Sequence, residues 1–169
     1  KRWTISFAII IIIVLTGIAV LNLVVDPYGY FDGIDGVNKN IHDNSYIRVF
    51  KANHIKKYGN NYDAYLIGGS KGGCYTSDKL KELDGYNTFI TCGNFQEYYI
   101  FAKYIVEQTD AKKIILNLSG FECLFDVRTG LKQETPAILT DKSEMAEFIS
   151  FLFKNPKLSI DEIRHSTAT

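Results

Sequence analysis

Ser70 follows the short apolar run Asp63-Ala64-Tyr65-Leu66-Ile67 and is flanked by Gly68, Gly69, Gly72 and Gly73. A strand that breaks into so many glycines lets the backbone turn sharply and lifts a hydroxyl above the carboxyl edge of a sheet, where a nucleophile belongs. The same residues also suit a plain flexible turn, or an anion site made from backbone N–H groups with Lys71 adding charge. The spacing is not that of a P-loop, since G-x-x-x-x-G-K-[ST] is missing. His42 and His54 precede the first strand, where a solvated helix or loop position accounts for them. Cys74, Cys92 and Cys123 have no metal-ligand spacing and read as packed thiols, so no metal and no cofactor is expected. Asn117-Leu118-Ser119 spells a glycosylation sequon, but at the end of an apolar strand a glycan would clash with packing.

The elements that must position Ser70 alternate. Residues 63–67, 86–91 and 113–118 read as strands, and residues 95–107 between the last two have helical periodicity. A further helix is expected to start near Ser77, and an amphipathic helix spans 44–58, with Ile47, Phe50, Ala52 and Ile55 on one side and basic residues between them. Such alternation produces parallel βαβ units whose functional residues lie just past the carboxyl ends of the strands, here residues 68–73, 92–96 and 119–126. Towards the end, Asp141-x-x-Glu144 and Ser159-x-x-Glu162 read as helix caps.

Ahead of all this, residues 5–25 carry no charge. As a helix they span roughly 31 Å, the thickness of a bilayer's hydrocarbon core. Lys1 and Arg2 precede the stretch, and Asp26, Asp32 and Asp35 follow it, which places the N-terminus in the cytoplasm and the remainder outside. No small-x-small cleavage site lies near residues 22–26, so an uncleaved anchor is expected over a signal peptide. Asn22 is expected to sit near the outer interface without a role of its own. Asp26-Pro27-Tyr28-Gly29-Tyr30-Phe31 then forms an aromatic juxtamembrane spacer.

The 169 residues suit one domain of ordinary size. With 19 basic and 19 acidic side chains the chain lacks the basic excess of a nucleic-acid binder. At 46% apolar and only 3 Pro, it is too hydrophobic to be disordered. Only three strands are expected, whereas doubly wound sheets usually have five or more, so the domain is read as the N-terminal portion of a longer one.

The anchor, Asp-Pro-Tyr-Gly-Tyr-Phe at 26–31, the helix with Arg48 and Lys51, and Tyr62-Asp63-Ala64-Tyr65-Leu66-Ile67-Gly68-Gly69-Ser70-Lys71 together resemble the membrane-anchored branch of the SGNH (GDSL-like) hydrolase superfamily, near the D-alanyl transfer proteins of lipoteichoic acid synthesis. The resemblance covers residues 5–126 and implies Ser70 as nucleophile, although Gly69 stands where that branch has Ser or Asp. It implies oxyanion donors at Gly93, in Thr91-Cys92-Gly93-Asn94, and at Asn94 or Asn117, the latter in Leu116-Asn117-Leu118-Ser119. It also requires a C-terminal Asp-x-x-His as orienting acid and base. Asp161 to His165 is one residue too long for that motif and falls too early in the fold.

The resulting expectation is an α/β protein with a single N-terminal transmembrane helix and an incomplete three-layer parallel-sheet domain of flavodoxin-like, SGNH type. Residues 1–4 are the cytoplasmic end, 5–25 the anchor, 26–60 the spacer and helix, and 61–169 the partial domain. It would be a single-pass protein of the cell membrane, an acyl esterase or acyltransferase acting on a cell-envelope polymer, with that polymer or a membrane acyltransferase as partner, and inactive alone if truncated before the C-terminal Asp-x-x-His segment. The competing reading is a non-catalytic, membrane-tethered interaction or anion-binding module.

Overall fold

A computed structural model describes residues 2–31, 47–75, 80–91, 93–118, 135–154 and 156–166, the side chains of 158, 162, 165 and 166 excepted. The described residues form a mixed α/β structure with one apolar N-terminal helix and a small parallel sheet. They fall into two compact units: one of residues 1–43 with 142–169, the other of residues 44–141.

In the first unit α1 runs Arg2–Val25, 24 residues without a break. Its strongest window has a mean hydropathy of 3.0, which makes it long and apolar enough to cross a membrane. The helix ends because Asp26 takes a left-handed conformation (φ 48°) and Pro27 follows. The Asp26 carboxylate secures the exit by accepting the amides of Tyr30 (2.8 Å) and Phe31 (2.6 Å). Two further helices, α4 (Glu144–Phe153) and α5 (Pro156–Ser166), pack against α1. Both begin elsewhere than the sequence suggests. Ser143, not Asp141, caps α4, accepting the Ala146 amide. Pro156 opens α5, its fixed φ and missing N–H suiting a first turn, so Ser159 lies inside the helix and is buried.

The second unit is built on three parallel strands, β1 (Ala64–Gly68), β2 (Gly85–Phe89) and β3 (Lys113–Asn117), in the order β2-β1-β3. The register pairs Ala64 with Gly85 and Lys113 at one end, and Gly68 with Phe89 and Asn117 at the other. Side chains alternate across the strands, so Tyr65, Ile67, Tyr86, Thr88 and Ile114 share one face. Against that face lie α2 (Ile47–Tyr58) and α3 (Phe95–Gln108), whose Ala52, Ile55, Tyr98, Phe101 and Ile105 complete the core. Burying the larger of these side chains, on the order of 1.5–3 kcal/mol for each Ile or Phe fully transferred from water, drives the packing. The helix expected near Ser77 and the third strand-end segment, 119–126, lie outside the described residues, as do His42, Cys92 and Cys123.

Candidate functional site

The sheet order makes β1 the point where the chain reverses direction: β2 is laid on one side of β1, and the chain then crosses over through α3 to add β3 on the other side. In open parallel sheets the crevice for ligands lies at such a switch, beyond the carboxyl ends of the two strands that part there. Here those ends are Gly68 and Asn117, which are register partners.

Ser70 lies just past this end of β1. Gly69 is buried, and Ser70 opens a tight 3-10 turn, Ser70–Cys74, with its own side chain exposed. The turn is held by backbone bonds from Gly72 N–H to Gly69 O (2.8 Å) and Tyr75 N–H to Gly72 O (3.1 Å). Its far end is braced by Asn87, whose amide donates to the carbonyls of Gly72 and Tyr75, both at 2.8 Å. Glycine fits closely at 72, where a Cβ would stand 3.0 Å from Phe89 Cβ and press on it. Sequence reasoning missed this brace; an Asn inside a strand, where its β-propensity is poor, was the available signal.

The three candidate oxyanion donors are placed differently. The amide of Asn117 lies beside the turn, 4.0 Å from where a Gly72 Cβ would stand, and its side chain makes no hydrogen bond to any described residue. Ser70 Oγ is likewise unbonded among the described residues. Gly93 closes a turn instead, donating its N–H to Ile90 O at 3.1 Å. Asn94 is the N-cap of α3: its Oδ1 accepts the Glu97 amide (2.9 Å), and Glu97 Oε2 accepts the Asn94 amide (3.3 Å), a complete capping box. The structure therefore places the Asn117 amide beside the Ser70–Cys74 turn, at its Gly72, and commits Gly93 and Asn94 to shaping the loop after β2.

That loop is secured by a second network. Arg48 on α2 donates through Nε to Glu97 Oε1 (2.7 Å) and through a terminal nitrogen to Glu97 Oε2 (3.2 Å) and Thr91 O (3.0 Å). Next to it Lys51 reaches β2, donating to Asn87 O with its ammonium 4.7 Å from the Tyr86 ring centre and 5.1 Å from that of Phe89. Burial lowers the Lys51 pKa to about 8.

No described histidine serves Ser70. His54 bonds the Tyr62 hydroxyl at 2.9 Å and stacks on Tyr86 at 4.3 Å. Those tyrosines flank the amino ends of β1 and β2, so His54 is a strand's length, roughly 15 Å, from Ser70. The phenols around it are held neutral: burial, with a smaller contribution from Tyr62, pushes Tyr65 up to about 12, and burial raises Tyr86 well above its ordinary value. Asp161 pairs with Arg164 at 3.9 Å on α5, and the His165 side chain lies outside the described residues. Cys74 is an exposed free thiol. Compared with protein-family models, with curated proteins and with solved structures, the chain matches none.

Proposed function

We propose that this chain is a membrane-anchored, extracytoplasmic acyl-transfer domain of the three-layer, SGNH-like type, acting on an ester of a cell-envelope polymer. The observation that carries the reading is the placement of Ser70, exposed and without a hydrogen bond among the described residues, just past β1 at the switch point of a parallel sheet, where Asn117 ends the neighbouring strand with an amide that likewise bonds no described residue. Ser70 Oγ attacks the acyl carbonyl and gives up its proton to a base. The Asn117 amide stabilises the oxyanion, and the leaving alcohol departs with that proton. The acyl-Ser70 ester then passes its acyl group to an acceptor hydroxyl or to water. The order β2-β1-β3 supports the reading, being the way a flavodoxin-like sheet begins. The membrane orientation rests on Lys1 and Arg2 before α1 and acidic residues after it.

The test is covalent labelling of the full chain in membranes with a fluorophosphonate. Modification should fall on Ser70 and vanish in Ser70→Ala. Asn117→Ala should slow it by a factor on the order of 10² to 10³, as loss of an oxyanion donor does. Absence of label on Ser70 overturns the catalytic reading. A tethered, non-catalytic module is the second reading, favoured by the engagement of the Gly93 amide and of His54 elsewhere. It predicts no label together with unchanged biological activity of Ser70→Ala.

A further inference from the structure

Within the first unit, α4 and α5 do not merely follow the anchor; they grip its last two turns. Ile18, Ala19 and Leu21 are half covered, Asn22 and Val25 are buried, and the outer residues Val20, Leu23 and Val24 stay exposed. The covered stretch from 18 to 25 is about 10 Å long. It belongs to the apolar segment itself, so whatever packs on it shares the depth of that segment.

The grip is polar at its centre and aromatic at its rim. Asn22 Nδ2 reaches the carbonyls of Phe151 (3.2 Å), Leu152 (2.9 Å) and Lys154 (3.1 Å) at the end of α4, and Asn22 Oδ1 accepts the Ser159 hydroxyl at 2.7 Å. One amide thus serves the carbonyls at the end of α4, of which Phe151 also accepts the Lys154 N–H at 3.3 Å, and ties the start of α5 to the same point. Around it Tyr28 stacks on Phe151 at 4.2 Å, and Tyr30 and Phe31 meet Phe148 edge-on.

With Phe148, Phe151 and Leu152 turned to α1, α4 still has a second apolar flank. Met145, Ile149 and Phe153, spaced i, i+4, i+8 along one line of the helix, are 66%, 50% and 48% exposed. On α5, Ile160 and Ile163 are exposed in the same way. Lys142 and Lys154 flank α4, and Lys157 follows, all exposed.

We propose that α4 and α5 form an interfacial collar: they lie in the surface of the bilayer that α1 spans, with Met145, Ile149 and Phe153 seated among the acyl chains. The occupant of the exposed flank is lipid because the flank is continuous with α1 and overlaps it by about 10 Å, the depth to which interfacial helices sink below the headgroups. Flanking lysines and the Tyr28, Tyr30 and Phe31 cluster suit the headgroup layer. The collar also makes α1 a structural part of the folded unit, since removing it would leave Ser159 and the α4 carbonyls without Asn22. The inference rests on α1 spanning a membrane, and its test separates the two claims.

Trp3 is the one tryptophan of the chain, so Trp3→Phe creates a silent background. In that background Leu15→Trp, Ile149→Trp, Met145→Trp and Ser150→Trp are each introduced into the full chain at exposed sites. The proteins are reconstituted in phosphatidylcholine–phosphatidylglycerol vesicles with brominated acyl chains. The expected result is strong quenching at 15, and quenching at 145 and 149 several-fold greater than at 150 on the polar side. Quenching at 15 but not at 145 or 149 overturns the collar and leaves the anchor standing. No quenching at 15 overturns both. Tryptophans at 145 and 149 that are shielded from aqueous acrylamide yet unquenched by lipid also overturn the collar and assign the flank to a protein surface, such as a second copy.

Discussion

Arg48 and Glu97, 49 residues apart, meet in a two-pronged ion pair whose side chains are 4% and 0% exposed. Glu97 is simultaneously the capping residue of α3, and Arg48 extends to the carbonyl of Thr91. The pair joins α2 to the loop after β2, so one contact sets both the helix start and the position of Gly93 and Asn94. Every acceptor of Glu97 is directed at a named donor, which is the condition under which a buried ion pair is tolerated.

Removing one partner leaves the other charged and dry. Arg48→Met and Glu97→Leu are each expected to cost about 3–5 kcal/mol, and the double variant less than their sum, since no orphaned charge remains. Urea unfolding of the full chain in detergent, followed by near-UV circular dichroism, checks this. Additive losses would show that the two side chains do not act as a pair.

Lys51 gives a pH dependence of definite sign. Its folded pKa, about 8, lies below the ordinary 10.5, so between those values the unfolded chain binds more protons and stability rises with pH. Below pH 8 both states are charged and the cost of burial is fully present. Tyr65, pushed up from 10.0 to about 12, acts oppositely: the unfolded phenol ionises first, so stability falls as pH climbs beyond 10. A stability maximum at roughly pH 9–10 is therefore expected. Lys51→Met should abolish the rise between pH 8 and 10 while keeping the fall above it; an unchanged profile would assign the rise to another group.

Gly68 and Asn117 touch so closely that no side chain fits at 68. A Cβ there would stand 2.6 Å from the backbone O of Asn117 and 2.9 Å from its Cβ, neither of which a change of side-chain rotamer can move aside. Gly68→Ala should part β1 from β3, cost about 1–3 kcal/mol and impair labelling of Ser70. Gly73→Ala, which meets only the ring of Phe89 at 3.3 Å, should be far milder. Thermal melts of the two variants side by side decide the matter, and equal losses would refute the close approach.

Asn22→Leu tests the junction of α1 with α4 and α5 directly. It keeps the apolar character of the helix but removes Asn22 from the carbonyls of Leu152 and Lys154 and from the Ser159 hydroxyl, and leaves the Phe151 carbonyl only the Lys154 N–H. A loss on the order of 3 kcal/mol is expected, since unsatisfied buried groups cost about 1–3 kcal/mol each and some regain water. The readout is trypsin cleavage at Lys154 and Lys157 in membranes, which should accelerate by at least tenfold; unaltered cleavage would mean that Asn22 holds nothing.

What was legible in the sequence was local. Absence of charge between residues 5 and 25 dictates a helix of spanning length, because a backbone among apolar side chains satisfies its own hydrogen bonds. Alternation of short apolar runs with helical periodicity located β1, β2, α3 and β3 to within a residue or two, and the glycines around Ser70 announced the turn. Tertiary structure decided which residues are committed. Asn94 and Asn117 are the same residue type near strand ends, yet one caps a helix and the other lies beside Gly72 of the Ser70–Cys74 turn. Arg48 belongs by spacing to a solvated stripe but is buried by a glutamate 49 positions away. Asn22, unremarkable in an apolar run, acquires its partners from residues 151–159. Periodicity reports which side of an element is apolar, but hydrogen bonds and ion pairs form with whatever the sheet order and helix packing bring within 3 Å, and no pattern along the chain encodes that neighbour.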